Sequence, residues 1–302
     1  LLTCALCLLL GLDYKPLPQS HAGTFSALML FSTAGLMYLV SSTNLLMIFV
    51  ALELVSISSF ILAGFERTNP KSNEGSMKYF LFGAFSSAIM VYGISLYYGA
   101  TGTLQLAAAS AVPGPMLILA LVLILLGFCF KASIAPMHFW VPDAYEGAPT
   151  PVTTFLSVAP KLATFAAIAR VFGAIFPLQA YDLTLLFSIL AALTMTIGNF
   201  TAMFQTDTKR LLAYSSIAQA GYLLIGLAVG TPLGREGVML YSFVYVAMNV
   251  GAFAVIQAVG TAKDSYDLNS FDGLAKNRLG LALALMFCLL SLAGIPPLAG
   301  FM

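Results

Sequence analysis

Phe130-Lys131-Ala132-Ser133-Ile134-Ala135-Pro136-Met137-His138-Phe139-Trp140-Val141-Pro142-Asp143-Ala144-Tyr145-Glu146-Gly147 starts inside an apolar run, residues 115–137, and leaves it through a lysine, a proline and a histidine. A bilayer core about 30 Å thick is crossed by roughly 20 apolar residues in a helix, and this run is of that length. Proline removes an intrahelical donor and collides with the preceding turn, so the helix should be interrupted at Pro136. An interruption frees carbonyls and amides, which a membrane tolerates only where protein buries them or a hydrated cavity receives them. The stretch therefore predicts a membrane helix interrupted at Pro136, which alone could be a simple kink and gains function only if a second break matches it.

The rest of the chain repeats the pattern. Apolar runs fall near 1–12, 24–42, 44–64, 76–99, 115–137, 150–173, 181–204, 210–229, 237–260 and 279–302, with polar or Gly/Pro breaks between them. The fold class is an all-α polytopic membrane protein with ten helices, the first and last incomplete. Charged residues make up 8% of the 302 residues, against roughly 25% in soluble proteins, and 60% are hydrophobic. That leaves too little polar surface for a soluble enzyme. A net charge of +1 offers no basic field for nucleic acid. Residue 1 is Leu and the last run is cut at Met302, so a piece of a longer protein is expected, and no basic region or small-residue cleavage site marks a signal peptide.

Of the thirteen Lys and Arg, eight sit in or beside alternate loops: Lys15, Arg67, Lys71, Lys209, Arg210, Lys263, Lys276 and Arg278. The opposite loops hold Arg170 and Arg235 at most. The positive-inside rule makes the basic set cytoplasmic.

Sliding the chain against itself by 161 to 162 positions exposes an internal repeat. Ser59–Gly64 falls on Gly221–Gly226, Gly75–Tyr79 on Gly237–Tyr241, and Ile134-Ala135-Pro136-Met137 on Ile295-Pro296-Pro297-Leu298. Five spans separate each pair, an odd number, so the copies should lie in opposite orientation. This divides the chain into an N-terminal helix end and loop (1–23), a first repeat (24–173) and a truncated second repeat (181–302). Pro136 and the Pro296-Pro297 pair are repeat-equivalent helix breaks.

Glu53 and Lys161 lie at the middle of their runs, and Lys131 is only about five residues, roughly 7.5 Å, from the centre of its own. Each charge costs on the order of 2.5 to 3.5 kcal/mol at mid-membrane, so three call for a function, and proton or ion transfer is the default. Buried lysines and glutamates can change protonation near neutral pH, and drawing a lysine away from an acid favours protonating the acid. The competing reading is a static buried pair that only fixes helix packing. Lys78, near the start of its run, either snorkels to the interface or pairs with Glu53. His138 could pass a proton through the interruption or serve structure alone. Asp143, Glu146 and Asp182 read as caps or loop residues. Cys4 and Cys7 form a C-x-x-C inside an apolar run and read as buried hydrophobes; no zinc spacing, phosphate loop or dinucleotide fingerprint appears, so no redox centre is expected in this chain.

Extended to Ala148-Pro149-Thr150-Pro151-Val152, the opening stretch closely resembles the broken-helix motif of the antiporter-like subunits of respiratory NADH-quinone oxidoreductase, complex I. Asn73–Phe80 and Thr208–Ala218 are similar to the same family, in the flavour of its subunit N, also called chain 2. The resemblance implies a fourteen-helix subunit with a hydrated polar axis along the membrane midplane. It makes Glu53 the acid paired with a lysine, Lys78 its neighbour, Lys131 the lysine of the first broken helix, His138 a relay and Lys161 the central connecting lysine. It also implies FMN, iron-sulfur clusters and quinone in partner subunits, with other complex I membrane subunits, the lipid bilayer and protons as partners, in a bacterial inner membrane. The family's output lysine would follow Pro296-Pro297-Leu298-Ala299-Gly300-Phe301, just past this chain. Gln219 departs from the pattern, since relatives commonly carry histidine there and Gln does not titrate. A cation/proton antiporter or membrane hydrogenase subunit is the alternative within the family, and a structural membrane scaffold is the rival outside it.

Overall fold

The structure is a computed structural model. It describes residues 1–14, 16, 19–106, 114–175 and 183–301, without the side chain of residue 175; Lys15 and Asp182 lie outside the described residues. The helices are α1 (Leu2–Leu12), α2 (Ala22–Ser41), α3 (Leu45–Ala63), α4 (Pro70–Thr101), α5 (Pro115–Ala132), α6 (Val141–Gly147), α7 (Thr150–Ile175), α8 (Leu183–Ala202), α9 (Thr208–Ala228), α10 (Pro232–Lys263), α11 (Leu274–Asn277) and α12 (Leu279–Leu292). Among the described residues eight helices, α2 to α5 and α7 to α10, are long and apolar enough to cross a membrane. The apolar helices α1 and α12 are shorter, so the ten expected spans become eight of full length.

Helix ends follow local chemistry more than hydropathy. α4 was expected from residue 76 but starts at Pro70, where Asn69 accepts from the Lys71 N–H and proline occupies the first turn, a position that needs no donor. α10 likewise starts at Pro232 behind Thr231, not at residue 237. Both run for 32 residues, about 48 Å, and so project polar turns beyond the hydrocarbon. α5 ends at Ala132, not 137: Ser133 adopts φ 64°, and the Ile134 N–H reaches back to the Cys129 carbonyl at 2.9 Å. Pro136 follows in the turn, so the break is made by a left-handed cap ahead of the proline.

α7 is the central helix. It packs against α1, α2, α3, α5, α6, α9 and α10, and 72% of its apolar window is buried, against 28% for α8. α6 crosses α4 at backbone distance. A Cβ on Gly75 would lie 2.5 Å from the Asp143 carbonyl oxygen, and one on Gly147 would lie 2.2 Å from that of Lys71. Only glycine permits this approach, the usual means of close packing between membrane helices.

Several local features recur about 162 residues apart. The α5 end bonds Ser133 N–H to Phe130 O (3.2 Å) and Met137 N–H to Ile134 O (2.9 Å). The α12 end bonds Gly294 to Ser291 (3.0 Å), Ile295 to Leu290 (3.1 Å) and Leu298 to Ile295 (3.1 Å), with Gly294 at φ 71°. At the α3 start, Leu45 N–H bonds Leu104 O and Leu106 N–H bonds Thr43 O; at the α9 start, Thr208 bonds Tyr266 and Leu268 bonds Thr206, all at 2.9 Å.

Candidate functional site

Glu53, on α3, accepts a hydrogen bond from the Ser87 hydroxyl of α4 at 2.5 Å. Lys131 is buried at the end of α5 and donates to Ser56 Oγ at 3.1 Å and to the Tyr79 hydroxyl at 2.9 Å. Its ammonium also lies 5.3 Å from the Tyr79 ring centre and 5.9 Å from that of Phe60. Glu53 and Lys131 line one narrow cavity with Ser56, Ser86 and Ser87. They face each other across it without a direct ion pair. The Ser86 hydroxyl is buried there without a partner, which suits a bridging water.

Lys161 is fully buried in the middle of α7. It donates to the carbonyl and the hydroxyl of Ser216 on α9, each at 2.5 Å, and has no carboxylate partner among the described residues. The adjacent Pro160 lies inside α7 and withholds the donor that would otherwise satisfy the Leu156 carbonyl. The sequence reading had not used that proline. His138, in the turn between α5 and α6, is 4% exposed with an unpartnered Nδ1. No hydrogen bond joins it to Lys131 or Lys161.

Of the two readings of Lys78, the pairing with Glu53 gives way. The lysine does not pair with Glu53 but forms 2.7 Å ion pairs with Glu74, one turn away, and with Asp143 of α6. Asp143 and Glu146, expected to be caps or loop residues, are the centre of an ion network. Arg210 of α9 donates to both, at 2.6 and 2.9 Å, and Lys71 reaches Glu146 at 2.7 Å. Burial pushes both carboxyls up, but hydrogen bonds from Lys78 and Arg210 to Asp143, and from Lys71 and Arg210 to Glu146, outweigh it and hold each below its ordinary range. Lys209, expected as a loop charge, is 3% exposed. It caps the carboxyl end of α6 through the Glu146 and Ala148 carbonyls, at 2.8 and 2.6 Å. These groups were missed because α4, α6 and α9, which bring the partners together, lie far apart in sequence.

Gln219 of α9 is buried. Its amide donates to the Leu292 carbonyl at the end of α12, at 2.9 Å, and its oxygen accepts from the Tyr241 hydroxyl of α10. Cys4 and Cys7 are free and buried. Among the described residues no three His, Cys, Asp or Glu gather as a metal site.

Buried lysines without counterions, set beside interrupted helices and lined by hydroxyls, define a multi-pass membrane protein built to hold charge within the bilayer. The chain belongs to the family described as NADH:quinone oxidoreductase/Mrp antiporter, TM, whose model matches residues 42–302. It is 46% identical to NADH-quinone oxidoreductase subunit N of Trichlorobacter lovleyi over 309 residues, covering 100% of this chain and 63% of that relative. Among solved structures it matches a chain of respiratory complex I from Thermus thermophilus at 37% identity and TM-score 0.79, covering 99% of this chain and 67% of that one. It matches a chain of the Mrp complex from Dietzia sp. at 26% identity and TM-score 0.87, covering 99% and 57%.

Proposed function

We propose that the chain is a proton-translocating membrane subunit of an NADH-quinone oxidoreductase in a bacterial membrane. The observation that carries this reading is the pair of fully enclosed lysines, Lys131 and Lys161, each held by hydroxyls or a carbonyl and by no carboxylate. An ammonium enclosed in hydrocarbon without a counterion is costly, and a group that exchanges its proton gives a reason to retain it. Glu53 receives or releases the proton across the serine-lined cavity to Lys131, Lys161 connects to the second half, and His138 is a further protonatable group at the interruption. Lys78 acts through Asp143, holding α6 in place beside the break. Moving a proton against 100 mV takes about 2.3 kcal/mol, which must come from partner subunits carrying FMN, iron-sulfur clusters and quinone.

The two halves are read as inverted five-helix repeats of a fourteen-helix subunit, bounded at 24–173 and 181–302. The paired hydrogen-bond patterns at the α5 and α12 ends, and at the α3 and α9 starts, support that reading. NADH-driven proton uptake in inverted membrane vesicles tests the function. Lys131→Ala should abolish uptake in a normally assembled complex, and normal uptake would return Lys131 to a structural charge.

A second reading, a cation/proton antiporter subunit, is favoured by the TM-score of 0.87 to the Mrp chain. Sodium-driven proton release from vesicles lacking NADH would select it.

A further inference from the structure

Tyr145, on α6, is fully buried, and its hydroxyl makes no regular hydrogen bond. The hydroxyl of Ser133, at the left-handed end of α5, is buried and unpartnered too. Most buried polar groups find a partner, and of the nine unpartnered side-chain atoms among the described residues these two lie within each other's reach. Tyr145 is also within reach of Ser216, whose hydroxyl accepts from Lys161, and within electrostatic range of Tyr79, whose hydroxyl accepts from Lys131. Trp140 sets the spacing. Its indole stacks on Tyr79 at 4.0 Å and meets Tyr145 edge-on at 6.1 Å, while its Nε1–H is occupied by the Phe130 carbonyl at 3.0 Å. Trp140 itself therefore offers no proton to the line.

We infer that Tyr145 is the hydroxyl relay between the two lysines, on the route Lys131, Tyr79, Tyr145, Ser216, Lys161, with Ser133 orienting the Tyr145 hydroxyl and water bridging where hydroxyls do not meet. The route rests on the proposed proton translocation and bypasses His138, which hydrogen-bonds neither lysine. A proton leaves the Lys131 ammonium for the Tyr79 oxygen as the Tyr79 proton passes onward. Tyr145 and Ser216 repeat the exchange, and the neutral Lys161 amine takes the last proton. One proton moves, every hydroxyl ends neutral, and the chain of O–H bonds then turns back for the next transfer.

Tyr145→Phe keeps the ring and its packing and removes only the relaying oxygen. Ser133→Gly removes the orienting hydroxyl at a φ that glycine favours. In inverted vesicles carrying the whole complex, Tyr145→Phe should lower NADH-driven proton uptake on the order of tenfold, and raise its solvent deuterium isotope effect, at normal assembly. Ser133→Gly should lower uptake less, and the double variant should be no worse than Tyr145→Phe alone. Lys131→Ala run alongside separates the two failures. If it abolishes uptake while Tyr145→Phe and Ser133→Gly pump with unchanged isotope effects, the relay is wrong and the proposed function stands. If Lys131→Ala pumps normally, the function itself fails. Should Tyr145→Phe not assemble, normal uptake and isotope effect in Ser133→Gly overturn the relay.

Discussion

Around the ends of α5 and α12, about 161 residues apart, the first and second halves of the chain fill a polar pocket with different chemistry. In the first half, Lys131 donates to Ser56 and Tyr79. Leu292 lies 161 positions after Lys131, Tyr241 162 after Tyr79, and Gln219 163 after Ser56. There the Gln219 amide donates to the Leu292 carbonyl while Tyr241 donates to Gln219. Both sites hold a tyrosine and a second polar group, but the second has leucine where the first has its lysine, and the Gln219 amide closes the helix end. The difference teaches that the polar pocket and the protonatable group are separable. The first half uses its pocket to hold a lysine amine, and the second uses its own to satisfy a carbonyl freed by the break.

The largest effect is expected from giving the first half the residue of the second. Lys131→Leu should cut proton uptake on the order of a hundredfold, because Glu53 then has no amine across the cavity to exchange a proton with. It should cost little stability, since an apolar residue replaces an enclosed charge. A large drop in the thermal midpoint of the subunit would break the comparison.

Gln219→Leu is the reciprocal change. It strands the Leu292 carbonyl and the Tyr241 hydroxyl and should destabilise by about 1 to 3 kcal/mol, with a smaller loss of uptake than Lys131→Leu. Denaturant unfolding of the detergent-solubilised subunit reads this directly. Tyr241→Phe should cost about 1 kcal/mol, and in combination with Gln219→Leu much of that cost should vanish, because the two share one hydrogen bond. Full additivity would mean that they do not act as a unit.

The smallest effect concerns the network that holds α6. Asp143 and Glu146 are held below their ordinary values of 3.8 and 4.5. Depressed carboxyls contribute stability that is fully present above those values and is lost as pH falls through the folded-state values. Acidification through that window should lower the hydrogen-exchange protection of the α6 amides relative to their intrinsic rates. Arg210→Gln removes a donor common to both carboxyls, so their folded-state values should rise, the contribution should shrink and its loss should be complete at a higher pH. Identical exchange profiles for the two proteins would show that the network does not hold α6.

Much of the candidate site was legible because a charge in an apolar run is conspicuous. Glu53, Lys131 and Lys161 all stand out in this way, and all three line the interior of the fold. The partner of Lys78 was not legible, since Asp143 is brought beside it only by the crossing of α6 over α4 at Gly75 and Gly147. Lys209 looked like a loop charge because the apolar run begins only at residue 210, while α9 already starts at Thr208 behind its Asp207 cap. The early start of α4 was hidden for a related reason, as its first turn is polar and projects beyond the apolar run.

By itself the sequence determined the class of protein, the positions of the helix breaks to within a few residues, and which charges the membrane must enclose. Those features follow from the cost of polar groups in hydrocarbon, which is local and severe. Only the tertiary structure decided which hydroxyl or carbonyl receives each buried lysine, and that Gln219 closes the second break. Those choices depend on side chains brought together from helices tens to more than a hundred residues apart, and no local preference encodes them.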